Sequence, residues 1–137
     1  MLCMQENKNK SGEKTPLDEL FIGRQEVDEK LLRDILIRFV RIEKESASIV
    51  PTPEYYGLKE KEKILVYLLS RKAMKIRQFI ENESENPSDI SRMSGVKEGT
   101  VFPAVREYLK EGILSKDENG YYIPNFAIGK VEEVLRS

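Results

Sequence analysis

The chain has no histidine, no tryptophan and only one cysteine in 137 residues. Without histidine it lacks the commonest general base and metal ligand at neutral pH. Cys3 stands alone in a polar stretch, so neither a disulfide nor a cysteine zinc site can form within the chain. No glycine-rich phosphate loop, nucleotide fingerprint or metal-ligand spacing occurs. The carboxylates sit in polar settings where ordinary pKa values are expected, unsuited to paired acid and base work. These absences predict a protein that is not an enzyme and carries no cofactor and no metal. Long apolar runs are missing as well. The longest, Ile64 to Leu69, is far short of the roughly 20 residues of a membrane span. The first residues contain no apolar signal-peptide core. The expectation is a cytoplasmic protein with no membrane contact and no evident small-molecule ligand.

What is abundant is charge, 34% of residues against 39% hydrophobic. Lys and Arg number 23 and Asp and Glu 24, for a net charge of -1. Bulk electrostatics therefore announce neither nucleic acid nor an anionic surface, and any such binding must come from local charge. Residues 59–77 hold such a concentration, with seven cations against Glu60 and Glu62. Within it, Arg71, Lys72, Lys75 and Arg77 read either as a solvated helix face or as a surface that tracks phosphates.

The chain divides by pattern. Residues 1–15 have the composition of a disordered tail. In residues 16–57, Leu17, Leu20, Phe21, Val27, Leu31, Ile35 and Phe39 recur at helical intervals. Gly23 separates a short helical turn from a longer helix starting near Gln25. Residues 38–42 and 47–50 read as two short strands or as more helix, ended by Pro51 and Pro53. Lys59 to about Glu81 reads as one long helix, with Leu65, Leu69, Ala73, Ile76 and Ile80 forming one stripe.

Residues 87–124 carry the functional inference. Ser88 is placed to cap a short helix with Ile90 and Met93 facing inward, and Gly95 supplies a left-handed turn. Ser91, four residues earlier, is small enough for two helices to cross. A second helix follows, burying Val101, Val105 and either Tyr108 or Leu109, and Gly112 ends it. Two strands, residues 113–116 and 121–124, then flank Asp-Glu-Asn-Gly, where Asn119-Gly120 is a hairpin signal. Residues 126–137 form a last amphipathic helix, too small for a core of its own.

Helix, sharp turn, helix and hairpin in this order resemble the winged helix-turn-helix superfamily. The run GTVFPAVREYLKEGIL is similar to the recognition segment of PadR-type transcriptional regulators, in Gly99, Thr100, Phe102-Pro103, Arg106 and Glu111-Gly112. The fold class implied is mainly α with a small β hairpin. It comprises a winged domain at residues 58–125, an N-terminal helical extension with a possible hairpin, and a C-terminal helix.

The resemblance implies sequence-specific binding of double-stranded DNA by a homodimer that regulates transcription. Lys97 and Thr100 would hold phosphate at the second helix's start. Arg106 would read guanine unless it is simply a solvated helix arginine, and Phe102 would meet a thymine methyl or pack in the core. Pro103 lies beside them off the buried stripe, tolerated if the helix begins near Gly99. Lys116 and Tyr121 would approach the DNA backbone from the hairpin. The sequence departs from strongly DNA-binding members in two ways. Glu98, Glu107 and Glu111 offset Lys97, Arg106 and Lys110, and Asp117 and Glu118 occupy the hairpin tip. These motivate an alternative, a winged protein-interaction module within a larger assembly.

Overall fold

The computed structural model describes residues 15–20 and 27–136. The expected tail, the break at Gly23 and the helix start at Gln25 fall almost wholly outside them. The described chain is mainly helical with two small antiparallel hairpins.

A one-turn 3-10 helix, Pro16–Leu20, comes first. Helix α1, Glu29–Leu36, starts where the Asp28 carboxylate accepts a hydrogen bond from the Leu31 amide at 3.0 Å. This satisfies an amide that the helix itself leaves unpaired. Its Leu32, Ile35 and Leu36 are buried. Strands β1, Val40–Glu43, and β2, Ser48–Pro51, then pair antiparallel, with Arg41 opposite Val50 and Ile42 opposite Ile49. Of the two readings left open for this segment, strands are realised. Pro53 does not stop a helix but opens one, α2, Pro53–Tyr56, at the position where a missing amide costs nothing.

Helix α3, Glu60–Ile76, forms the centre. Ile64, Leu65, Val66, Tyr67, Leu68 and Leu69 are all buried, so the helix is apolar around its whole girth rather than along one stripe. Such a helix must be surrounded, and α3 packs on α1 at one side and on the helices described next at others. It ends at Ile76, five residues before the expected Glu81. Gln78 takes a left-handed φ of 66°, while its amide bonds Lys75 O and the Phe79 amide bonds Met74 O. This is a Schellman closure built on a residue other than glycine, which pattern reading does not anticipate.

Helices α4, Pro87–Ser94, and α5, Glu98–Lys110, follow, then strands β3, Ser115–Asp117, and β4, Gly120–Tyr122. Each strand stops two residues short of the expected limit at its outer end and runs one residue past it toward the turn, and Asp117 pairs with Gly120. Glu118 and Asn119 therefore form the turn, not Asn119 and Gly120. Glu85 joins as a third strand position, exchanging two 2.9 Å backbone bonds with Tyr121. That contact explains Gly120. A Cβ there would overlap the Glu85 carbonyl and lie 2.7 Å from the Asn86 nitrogen, at a φ of 136°. Gly120→Ala should destabilise the fold by about 2 kcal/mol or more, measurable by chemical denaturation.

A single 3-10 turn, Asn125–Ala127, leads into α6, Ile128–Arg136. Ile128 and Val131 are buried, and α6 packs on α1 and α3. Between capping its own domain and pairing with a copy, the buried face of α6 takes the first role. Phe126, assigned to its apolar face, is instead 67% exposed.

Candidate nucleic-acid interface

The candidate interface comprises α4, the turn at Gly95, and α5. Asn86, rather than Ser88, caps α4, its side chain accepting from the Asp89 amide at 2.9 Å, with Pro87 at the first helical position. Ile90 is fully buried, but Met93 is exposed. Gly95 holds a φ of 83° and no neighbour crowds it, so its role is the left-handed backbone itself. The Ser91 hydroxyl donates to the Val96 carbonyl at 2.5 Å across the turn. The Tyr55 hydroxyl donates to the Ser94 carbonyl at 2.6 Å, so α2 anchors the same turn. Burial pushes the Tyr55 phenol up to about 12, which keeps it a donor throughout the usable pH range.

In α5, Val101, Ala104, Val105 and Tyr108 face the core, and Leu109 does not. Lys97, Phe102, Pro103 and Arg106 are exposed together, with Thr100 half-buried beside them. Helical spacing puts Gly99, Phe102, Pro103 and Arg106 along one strip of the outer face. Pro103 removes the amide that would donate to the Gly99 carbonyl, a loss confined to the first turns and to the solvent side. Glycine closes the helix where expected. Gly112, at a φ of 78°, donates to Leu109 O while Ile113 donates to Tyr108 O.

Three of the expected cation contacts are free of carboxylates. Among the described residues neither Lys97 nor Arg106 forms an ion pair, and Lys116 lies 5.3 Å over the Tyr121 ring instead. Glu107, Arg106's neighbour, is held by Lys61 from α3. Its charge is thereby turned toward the domain rather than left to oppose the arginine.

The long basic helix behaves otherwise. Of its seven cations, five are paired, namely Lys61, Lys63, Arg71, Lys72 and Lys75. Lys72 is 1% exposed, 2.8 Å from Glu83, and donates to Asn125 Oδ1 at 2.7 Å. It cannot touch phosphate without unfolding its surroundings, so it leaves the set of candidate DNA contacts. Burial lowers its ammonium below the ordinary lysine range, opposed by the hydrogen bond and charge of Glu83. Arg71 donates to the carbonyls of Asn82 and Glu83 and pairs with Glu85 at 3.2 Å. Tyr67 donates to the same Glu85 at 2.8 Å. These groups staple residues 82–85 against α3, and so position the strand that receives Tyr121. Lys75, more exposed, reaches Glu83 only at 3.8 Å. Tyr121 is itself 7% exposed, so it is a packing residue and not a backbone contact; Tyr122 is half-buried. A count that ended at residue 77 missed Glu83 and Glu85, which the turn at Gln78 brings back onto the helix.

The hairpin tip is also held from within. Ser84 Oγ donates to Asp117 Oδ2 at 2.5 Å, and the amides of Asn119 and Gly120 bond Asp117 Oδ1. Desolvation raises the Asp117 carboxyl, but the Ser84 hydroxyl and the two amides outweigh it and hold the group below its ordinary value. A carboxylate with a lowered folded pKa contributes stability above its unfolded value and loses it as pH falls through the folded one. Ser84→Ala should therefore raise the Asp117 pKa and move hairpin loosening to higher pH, followed by a carbonyl-detected NMR titration.

Among the described residues no helix is long and apolar enough to cross a membrane, and no cluster of three His, Cys, Asp or Glu could hold a metal. Comparisons with protein families, with curated proteins and with solved structures found no match.

Proposed function

We propose that residues 58–125 are a winged helix-turn-helix, that α5 is its recognition helix, and that the protein binds duplex DNA as a dimeric regulator of transcription inside the cell. The observation that carries this reading is the outer face of α5. Phe102, Pro103 and Arg106 stand together there with Lys97 at the N-cap and Thr100 half-buried beside them, among the described residues neither cation has a carboxylate partner, and the Glu107 charge is drawn away by Lys61. The order of elements supports it: α3, a strand position at Glu85, α4, a tight turn, α5 and the β3–β4 hairpin. A helix so displayed enters the major groove by its N-terminal half. Lys97 then contacts phosphate, Arg106 reads a base edge, and Lys116 meets the backbone from the hairpin.

Internal pairing of the α3 cations means that few phosphates are neutralised, so nonspecific binding is weak and specificity rests on few contacts and on two copies. A mobility shift against a random-sequence duplex pool, from low to physiological salt, tests the proposal. Retention at low salt that declines with a shallow slope as salt rises is expected, and no retention of the folded protein at low salt would refute it.

A second reading has its own observation. Arg71, Lys72 and Lys75 turn toward Glu83 and Glu85 instead of joining Lys97 and Arg106, and Asp117 and Glu118 sit at the hairpin. That distribution favours docking of a protein partner through the helix face or the hairpin. Arg106→Glu distinguishes the two, since loss of DNA retention with unchanged partner capture follows only if the surfaces differ.

A further inference from the structure

We infer that the groove between α1, β1 and the end of α3 is the docking site of the chain's own Pro16–Leu20 segment. The groove encloses about 250 Å³ and opens on one side. That is below the roughly 300–1,000 Å³ of most small-molecule sites and suits a pair of side-chain anchors. Leu36, Ile42 and Ile76 form its floor, and the exposed Ile37 lies on its rim. Arg41 and Arg77 stand around it against one carboxylate, Glu29, while Arg33, also at the rim, is already paired with Asp34 at 2.8 Å. Among the described residues the Arg77 side chain forms no ion pair, and Arg41 is engaged only with the backbone carbonyls of Ile37 and Val40. A basic rim around an apolar floor selects an acidic, apolar occupant.

Pro16–Leu20 has that chemistry. Its sequence PLDEL sets two carboxylates between two leucines, and the turn is preformed, with the Thr15 amide donating to Asp18 Oδ2 at 2.9 Å. Leu17 and Leu20 are 63% and 75% exposed, so both the anchors and the groove lack a partner in the arrangement described. Leucines three apart on one face are the anchors an amphipathic turn presents to a groove. Leu20 precedes Glu29, at the groove's edge, by nine residues, which reach at most about 30 Å. Docking within one chain is therefore favoured by tethering over docking between copies.

Cysteine trapping tests this in the full chain. The variant Cys3→Ser/Leu20→Cys/Ile37→Cys places thiols on an anchor and on the exposed rim of the groove. The control Cys3→Ser/Leu20→Cys/Phe126→Cys uses an exposed position outside it. Under mild oxidation the groove pair should close an intramolecular disulfide about tenfold faster than the control, and adding Arg77→Glu should slow it. Equal rates for the two pairs would overturn the inference, as would disulfide-linked dimers in place of closed monomers. Leu17→Cys with Ile37→Cys, again in the Cys3→Ser chain, repeats the test should the Leu20 variant fold poorly.

Discussion

Replacing Glu83 by leucine should cost about 3–5 kcal/mol of stability, because it strands the Lys72 ammonium in the interior. The side chains of Lys72 and Glu83 are 2% and 12% exposed and lie 2.8 Å apart. Neither ion can recover water when the other is removed. Taking about 3 kcal/mol, the melting temperature of a domain this size falls by roughly 10 °C. The double variant Lys72→Met/Glu83→Leu removes both charges together and should regain most of that loss, since a buried pair often does no better than apolar groups of similar volume. Chemical denaturation of the two single variants and the double variant measures this. Lys72 as a surface cation would instead give a single-variant cost below about 1 kcal/mol, with no recovery in the double variant. The distinction matters for function. Lys72 joins α3 to residues 82–85 and to Asn125, so its loss would lower DNA binding only through the fold.

Arg106→Ala should weaken binding to a selected duplex by about 1–3 kcal/mol, roughly 5- to 150-fold, and relax discrimination at one base pair. Arg106 lies on the exposed strip of α5, away from Val101, Ala104, Val105 and Tyr108, so its removal leaves a core of unchanged packing. Lys97→Ala should behave differently. A phosphate contact at the start of α5 carries no sequence information, so affinity should fall evenly across sequences and the salt slope drop by about 1. Anisotropy titrations of both variants over a salt series separate the two roles. Equal loss on every sequence for Arg106→Ala would assign that residue to phosphate rather than to a base.

Local chemistry explains which features the sequence disclosed. Gly95 and Gly112 appear as turn and helix stop because each supplies a left-handed φ that few other residues adopt readily. The buried face of α5 follows from the spacing of Val101, Val105 and Tyr108. Where tertiary contacts decide, the reading slips. Gln78 closes α3 in the same geometry as Gly112 closes α5, without a glycine to mark it. Asn86 outcompetes Ser88 as a cap because Pro87 fixes the first helical position one residue earlier. Gly120 marks the approach of Glu85 rather than the centre of the hairpin turn. The largest displacement concerns the site. Arg71, Lys72 and Tyr121 are candidates by residue type, yet their partners Glu83, Glu85 and Asn125 lie far enough along the chain that only folding brings them together. Phe102, Pro103 and Arg106 share an exposed face because helix periodicity sets their directions, with Lys97 at the helix's N-cap and the half-buried Thr100 flanking them.

The central claim, that the outer face of α5 meets duplex DNA, is tested most directly by NMR chemical-shift mapping of the labelled protein with a random-sequence duplex at low salt. The predicted result is a set of perturbed amides confined to residues 97–106 and the hairpin around Lys116, with α1 and α6 unmoved. Perturbation centred on α1 and α6, or none at all while the protein remains folded, would contradict it.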